Sequence, residues 1–133
     1  MSNPNNLLTI FNDHFVEFVT DVHNVFPEDA DILTAKNSLI AIRKANPKLI
    51  VKIWIKYVLT PYRDRIELGD INFFIEKDYA NDLTRSNNAD QIMESINRLR
   101  NPVKQMNPVN QEKTMKYIQN LCKLADMIPG AAN

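Results

Sequence analysis

Asn46-Pro47-Lys48-Leu49-Ile50-Val51-Lys52-Ile53-Trp54-Ile55-Lys56-Tyr57-Val58-Leu59-Thr60-Pro61 is the stretch on which the fold turns. From Leu49 to Leu59 it is apolar nearly all round. A run of that kind suits a buried strand or a buried helix, since either buries every face. Its β-branched residues favour the strand. Length and flanks favour the helix. The run has eleven residues, against about six for a usual strand. Lys48, Lys52 and Lys56 recur at four-residue spacing on one helical face. Asn46-Pro47 has the form of an N-cap followed by proline at the first helical position. Thr60-Pro61 is expected to kink or end this helix, because proline removes a hydrogen bond and clashes with the preceding turn. The segment reads as the central, most buried helix.

Outward from it the helical period persists. Toward the N-terminus, Leu8, Phe11, Phe15, Phe18, Val22 and Val25 form one apolar stripe, with Asn12, Asp13, Glu17, Asp21 and Asn24 assigned to the other side. That predicts a helix over about 4–25, opened by Asn3-Pro4. After a break at Phe26-Pro27-Glu28-Asp29, residues Ile32, Ala35, Leu39 and Ile42 predict a second helix over about 28–45. Toward the C-terminus, Tyr62 to Leu68 reads as a further helical piece stopped by Gly69. Asp70 can cap a short helix through Ile71, Phe74, Ile75 and Tyr79, and residues 81–88 read as loop. Asn88 and Gln91 have capping-box spacing. The next helix carries Ile92, Ile96 and Leu99 and is expected to reach about Arg100, with a kink or one-turn extension at Pro102 through Val103 and Met106. Asn107-Pro108 opens the last helix, lined by Met115, Ile118, Cys122, Ala125 and Ile128 and ended at Ile128-Pro129-Gly130. The expectation is an all-α, compact single-domain bundle of five to seven helices, its core over about 5–128 and its tail at 129–133 frayed.

The composition agrees. At 133 residues, 44% hydrophobic and 24% charged, the chain has the make-up of one globular domain. Two glycines are too few for the turns of an all-β fold or for a phosphate loop. A single cysteine, Cys122, excludes a disulfide framework and a Cys-rich zinc site. No apolar run approaches the roughly 20 residues that span a bilayer, and Met1 to Asn6 lack the features of a signal peptide. A soluble protein of a reducing compartment is expected, with no membrane insertion. Sixteen basic and sixteen acidic residues leave no net field toward DNA or an anionic membrane.

The charges are segregated. Residues 1–42 carry net −5, 43–65 net +6, 66–90 net −4 and 91–133 net +3. Opposed blocks invite pairing between segments or between copies of the chain, although solvated faces have the same look. Two candidate contact surfaces follow. One is the basic stripe Arg43, Lys44, Lys48, Lys52, Lys56, Arg63 and Arg65; the other is the acidic face Asp13, Glu17 and Asp21. The basic stripe could track a phosphate backbone, with Trp54, Tyr57 and Tyr62 interleaved, which keeps nucleic-acid binding as the alternative. Those aromatics sit at helical spacing in an apolar run and read first as core. Enzyme signatures are missing: there is no Gly-x-Ser-x-Gly, His-Glu-x-x-His, Walker or EF-hand motif. His14 with Glu17 or Asp21 could ligate a metal, but no second helix offers a matching motif. Cys122 lies on an apolar stripe, as an inert thiol would. No enzyme activity, metal or cofactor is expected.

One resemblance stands beside this reading. The phrases Ala45-Asn46-Pro47-Lys48-Leu49-Ile50-Val51-Lys52-Ile53-Trp54, Pro61-Tyr62, Gly69-Asp70-Ile71-Asn72-Phe73-Phe74-Ile75-Glu76-Lys77-Asp78-Tyr79, Ile92-Met93-Glu94 and Asn97-Arg98-Leu99-Arg100 resemble those of a small protein family of nucleocytoplasmic large DNA viruses of algae and amoebae. The similarity runs from about Phe11 to Leu124. It implies a viral protein of the host-cell cytoplasm during infection, packaged in the virion, and carries over no activity or catalytic residue. The expected function is that of a non-enzymatic structural or interaction protein. Its partner would be itself, as a homo-oligomer, or another viral protein. Self-association is suggested by the opposed charge blocks and by the heptad-like seam of the first helix.

Overall fold

The stripe of the first segment becomes the buried face of α1 (Pro4–Val25), on which Phe11, Phe15, Phe18, Val19 and Val22 are withdrawn from solvent. The structure is a computed structural model that describes residues 4–76 and 88–128, with side chains over 6–76 and 91–128. The caps expected of Asn3 and of the Asn88 side chain, the residues Tyr79 and 81–87, and the tail at 129–133 lie outside the described residues. Asn12 departs from expectation. It is not on the polar side of α1 but buried, at 1% exposure, with Nδ2 donating to the Pro47 carbonyl at 2.9 Å. Val25, expected on the stripe, is exposed.

Helix α2 (Ala30–Ala45) begins two residues later than its apolar spacing suggests, because Asp29 is its N-cap. The Asp29 carboxylate accepts from the Asp31 and Ile32 amides at 2.9 and 3.2 Å, satisfying two of the donors a helix start leaves open. The Asn46-Pro47 pair does not open the next helix. Asn46 instead closes α2, its amide donating to the Ile42 carbonyl at 2.7 Å, and the Pro47 carbonyl is taken by Asn12.

The deciding stretch is helical. It forms α3 (Leu49–Trp54), a π turn over Ile55–Leu59 and α4 (Thr60–Glu67), which follow one another without a break as a single bent rod. Pro61 bends the rod without ending it. A proline ring presses on the carbonyl four residues back, and here the preceding turn has widened, the Thr60 amide reaching back five residues to the Ile55 carbonyl. The bend falls at Tyr62, which leaves helical geometry at φ −124°, ψ 20°. Gly69 ends α4 with φ 75°. Its amide donates to the Ile66 carbonyl at 3.0 Å and that of Asp70 to the Arg65 carbonyl at 2.9 Å, a Schellman closure that needs a left-handed residue.

Helix α5 (Asn72–Glu76) is a short plug bearing buried Phe73 and Phe74. Helix α6 (Asn88–Gln105) continues straight through Pro102 and does not end near Arg100. Buried Val103 and Met106 hold the last turn against the core, and Gln111 Nε2 donates to the Val103 and Lys104 carbonyls at 3.1 and 3.3 Å. Helix α7 (Pro108–Met127) starts where the sequence places it, with the Asn107 side chain accepting from the Asn110 amide at 2.8 Å.

The result is an all-α bundle of six helices, the bent rod counted once, with no strand among the described residues. α2 lies along α6, and α1 packs against both α2 and α7. At the centre Trp54, fully buried, meets Phe15 edge to face at 5.2 Å, a geometry that suits the ring quadrupole. The heptad-like seam of α1 is thereby spent inside the chain. Phe11, Phe15, Phe18 and Val22 are each at most 1% exposed, so a second copy cannot pair with them.

Candidate interaction surface

α1 displays Asp13, Glu17 and Asp21 one turn apart, and all three are met from within the chain. Arg43 of α2 donates to Asp13. Tyr117 of α7 places its Oη 2.6 Å from Asp21 Oδ2 and 3.1 Å from Glu17 Oε1, and Lys113 Nζ lies 3.7 Å from Asp21. His14 completes the group, its ring packed at a 39° tilt against that of Tyr117 with centroids 4.9 Å apart and Nδ1 3.8 Å from Glu17. Burial, and then the adjoining Asp21 carboxylate, push the Tyr117 phenol above its ordinary value, since ionising it would set a third negative charge beside two. The acidic face is therefore a polar seam joining α1 to α7 and α2.

The basic stripe divides. Its three arginines are paired within the chain: Arg43 with Asp13, Arg63 with Asp126 through two parallel bonds of 2.9 and 3.0 Å, and Arg65 with Asp70 at 3.2 Å. The Arg63 hydrogen bond holds the Asp126 carboxyl below the usual carboxylate range. Lys44, Lys48, Lys52 and Lys56 remain exposed, and no carboxylate among the described residues pairs with them. The last three span two turns of the rod, about 12 Å of rise. No exposed aromatic accompanies them. Trp54 is core, and Tyr57 and Tyr62 are half-buried against it, Tyr62 lying 5.4 Å from the Phe73 ring. Lys56 Nζ sits 5.2 Å from the centre of the Tyr57 ring.

A groove opens beside the lysine row, where α1 crosses the corner between α2 and α3. It has a volume of about 590 Å³ and is lined by Leu8, Asn12, Val16, Ile40, Lys44 and Pro47 among others. A polar residue one turn after Leu8 and one turn before Phe15 was the signal in the sequence for it, since Asn12 falls on the edge of the apolar stripe. The role of Tyr117 had no such signal, its partners lying 96 and 100 residues away.

Cys122 is buried, and burial pushes its thiol up to about 11, leaving it protonated at neutral pH. It borders a cleft of about 240 Å³ between the rod and α7, closed by the Arg63–Asp126 pair. Among the described residues no three of His, Cys, Asp or Glu gather closely enough to hold a metal ion, and no helix is long and apolar enough to cross a membrane. Comparison of the chain with protein-family models, with curated proteins and with solved structures finds no match in any of the three.

Proposed function

We propose that this is a non-enzymatic interaction protein that works by surface contact, and that the row Lys44, Lys48, Lys52 and Lys56 is the part of its surface offered to an acidic protein partner. The observation that carries the reading is the contrast in pairing. The arginines of the basic block and the carboxylates of α1 each have a partner within the chain, Arg43 with Asp13, Arg63 with Asp126, Arg65 with Asp70, and Asp21 with Lys113, while these four lysines have no carboxylate of the described residues at ion-pair distance. Lysine is a flexible point charge that costs little to leave solvated, so an unpaired row suits contact on demand. A non-enzymatic role accords with a thiol held protonated in the core and with a histidine packed against the Tyr117 ring. The viral resemblance extends the reading to a structural protein of infected-cell cytoplasm that travels in the virion, its partner another viral protein or a second copy of itself. Nucleic-acid binding by the Lys48 to Arg65 block draws on the same row. It is the weaker reading because Arg63 and Arg65 are engaged and no aromatic platform is exposed for bases.

Titration of the protein with polyglutamate and with a mixed-sequence DNA duplex, at low and high salt, tests this. Polyglutamate should bind at low salt and be released at high salt, and Lys48, Lys52 and Lys56 changed together to glutamate should abolish binding. Preference for the duplex would establish the nucleic-acid reading instead, with a log–log salt slope of about −3 to −4 for four phosphate contacts. Binding of neither polyanion overturns the proposal.

A further inference from the structure

The surface has a second feature whose chemistry answers the groove. Leu68 stands at the end of α4 with 84% of its surface exposed, held out by the Schellman turn at Gly69. Leucine so displayed is costly to leave in water. Its neighbours set a sign: Arg63 and Arg65 are neutralised by Asp126 and Asp70, whereas Asp64 and Glu67 are exposed with no cation at ion-pair distance among the described residues. Lys123 borders the same cleft as Glu67 and offsets part of this charge, which leaves the knob apolar with a small negative excess. The groove is its complement. It is walled by Leu8, Val16, Ile40 and Pro47, and with Arg43 spent on Asp13 its rim keeps the charge of Lys44. Its volume, about 590 Å³, falls in the range of built binding pockets and has room for a leucine with part of the turn that carries it.

We infer that the occupant of the groove is a second copy of this chain, with Leu68 of one copy seated between Leu8, Val16, Ile40 and Pro47 of the next and Glu67 or Asp64 facing Lys44. The contact shares Lys44 with the surface proposed above and rests on that reading to this extent. Knob and groove lie toward opposite ends of the bent rod, roughly 28 Å of helix apart. Knob and groove are separate patches, so each copy offers one of each: two copies can exchange them reciprocally about a two-fold axis, and otherwise the contact propagates into a ring or a filament.

Light scattering of the full chain over a concentration series, at low and high salt, reads the inference directly. Wild type should rise in mass with concentration to a dimer or beyond. Leu68→Glu, at a site with no core to disrupt, should return it to 15.4 kDa, and so should Lys44→Glu at low salt. Mixing these two variants supplies one intact knob and one intact groove, so the mixture should give a 1:1 complex of twice that mass and nothing larger. A wild type that stays monomeric, or an oligomer indifferent to Leu68→Glu, overturns the contact. The polyglutamate titration with the Lys48, Lys52 and Lys56 variant judges the lysine row separately, because that variant leaves the groove and the knob intact.

Discussion

Tyr117 has one proton and two carboxylates in reach. The shorter approach, 2.6 Å to Asp21 against 3.1 Å to Glu17, gives Asp21 the proton and leaves Glu17 facing the phenol's lone pairs, with His14 nearby. Removing the hydroxyl leaves the half-buried Asp21 with Lys113 at 3.7 Å but without its hydrogen bond. Tyr117→Phe is expected to cost about 1–2 kcal/mol near neutral pH, the scale of a hydrogen bond to a charged group, read from urea unfolding. The pH dependence has a definite sign. The folded phenol titrates above its unfolded value, so its contribution is complete below about pH 10 and fades as pH rises through the folded value. Wild type and variant should accordingly converge in alkali. At this scale the sequence disclosed some things and concealed others. Trp54 and Cys122 were legible as core because an apolar stripe needs only local spacing. Tyr117 was not, because hydrogen bonds across 96 residues leave no local pattern.

Among the elements, α1 was legible from its periodicity and α7 from periodicity and capping together, whereas the departures come from tertiary bonds. Asn46-Pro47 has the chemistry of a helix start, yet Asn12 claims the Pro47 carbonyl and Asn46 closes the helix before it. Pro102 has the chemistry of a helix stop, yet buried Val103 and Met106 carry α6 past it. The π turn answers Pro61 in a way no apolar period announces. Gly69 is the clear local case. A Cβ there would meet nothing closer than Gln119 Nε2 at 3.7 Å, so substitution is penalised by backbone conformation alone. Gly69→Ala should cost about 1–2 kcal/mol and Gly69→Asn distinctly less, since asparagine tolerates the left-handed region. Equal losses for the two in thermal unfolding would mean that side-chain crowding, not φ, sets the penalty.

Across the whole molecule the ion pairs act as ties between elements distant in sequence: Arg43–Asp13, Arg98–Asp31 and Arg63–Asp126 join α2 to α1, α6 to α2 and the rod to α7. The block layout of charge was legible, but which blocks would close internally was not, since that depends on packing angles. Each tie is half-exposed and modest, about 0–1 kcal/mol. Asp126 shows the direction. Its folded carboxyl titrates below the unfolded one, so the tie contributes above about pH 4 and is lost as pH falls through the folded value. Asp126→Asn should be less stable than wild type at pH 7 and no different in strong acid, as denaturant midpoints across that range would show.

The seam between α1 and α7 also bears on how the chain is made. α1 leaves the ribosome before α7, and Tyr117, which covers Phe18 at 5.7 Å, is translated about a hundred residues after it. At about 5–20 residues per second, the intervening hundred or so take roughly 5–20 s. For that interval the nascent chain carries Phe18 without the ring that covers it in the finished protein, and a translation pause before Lys113 would lengthen its exposure to chaperones.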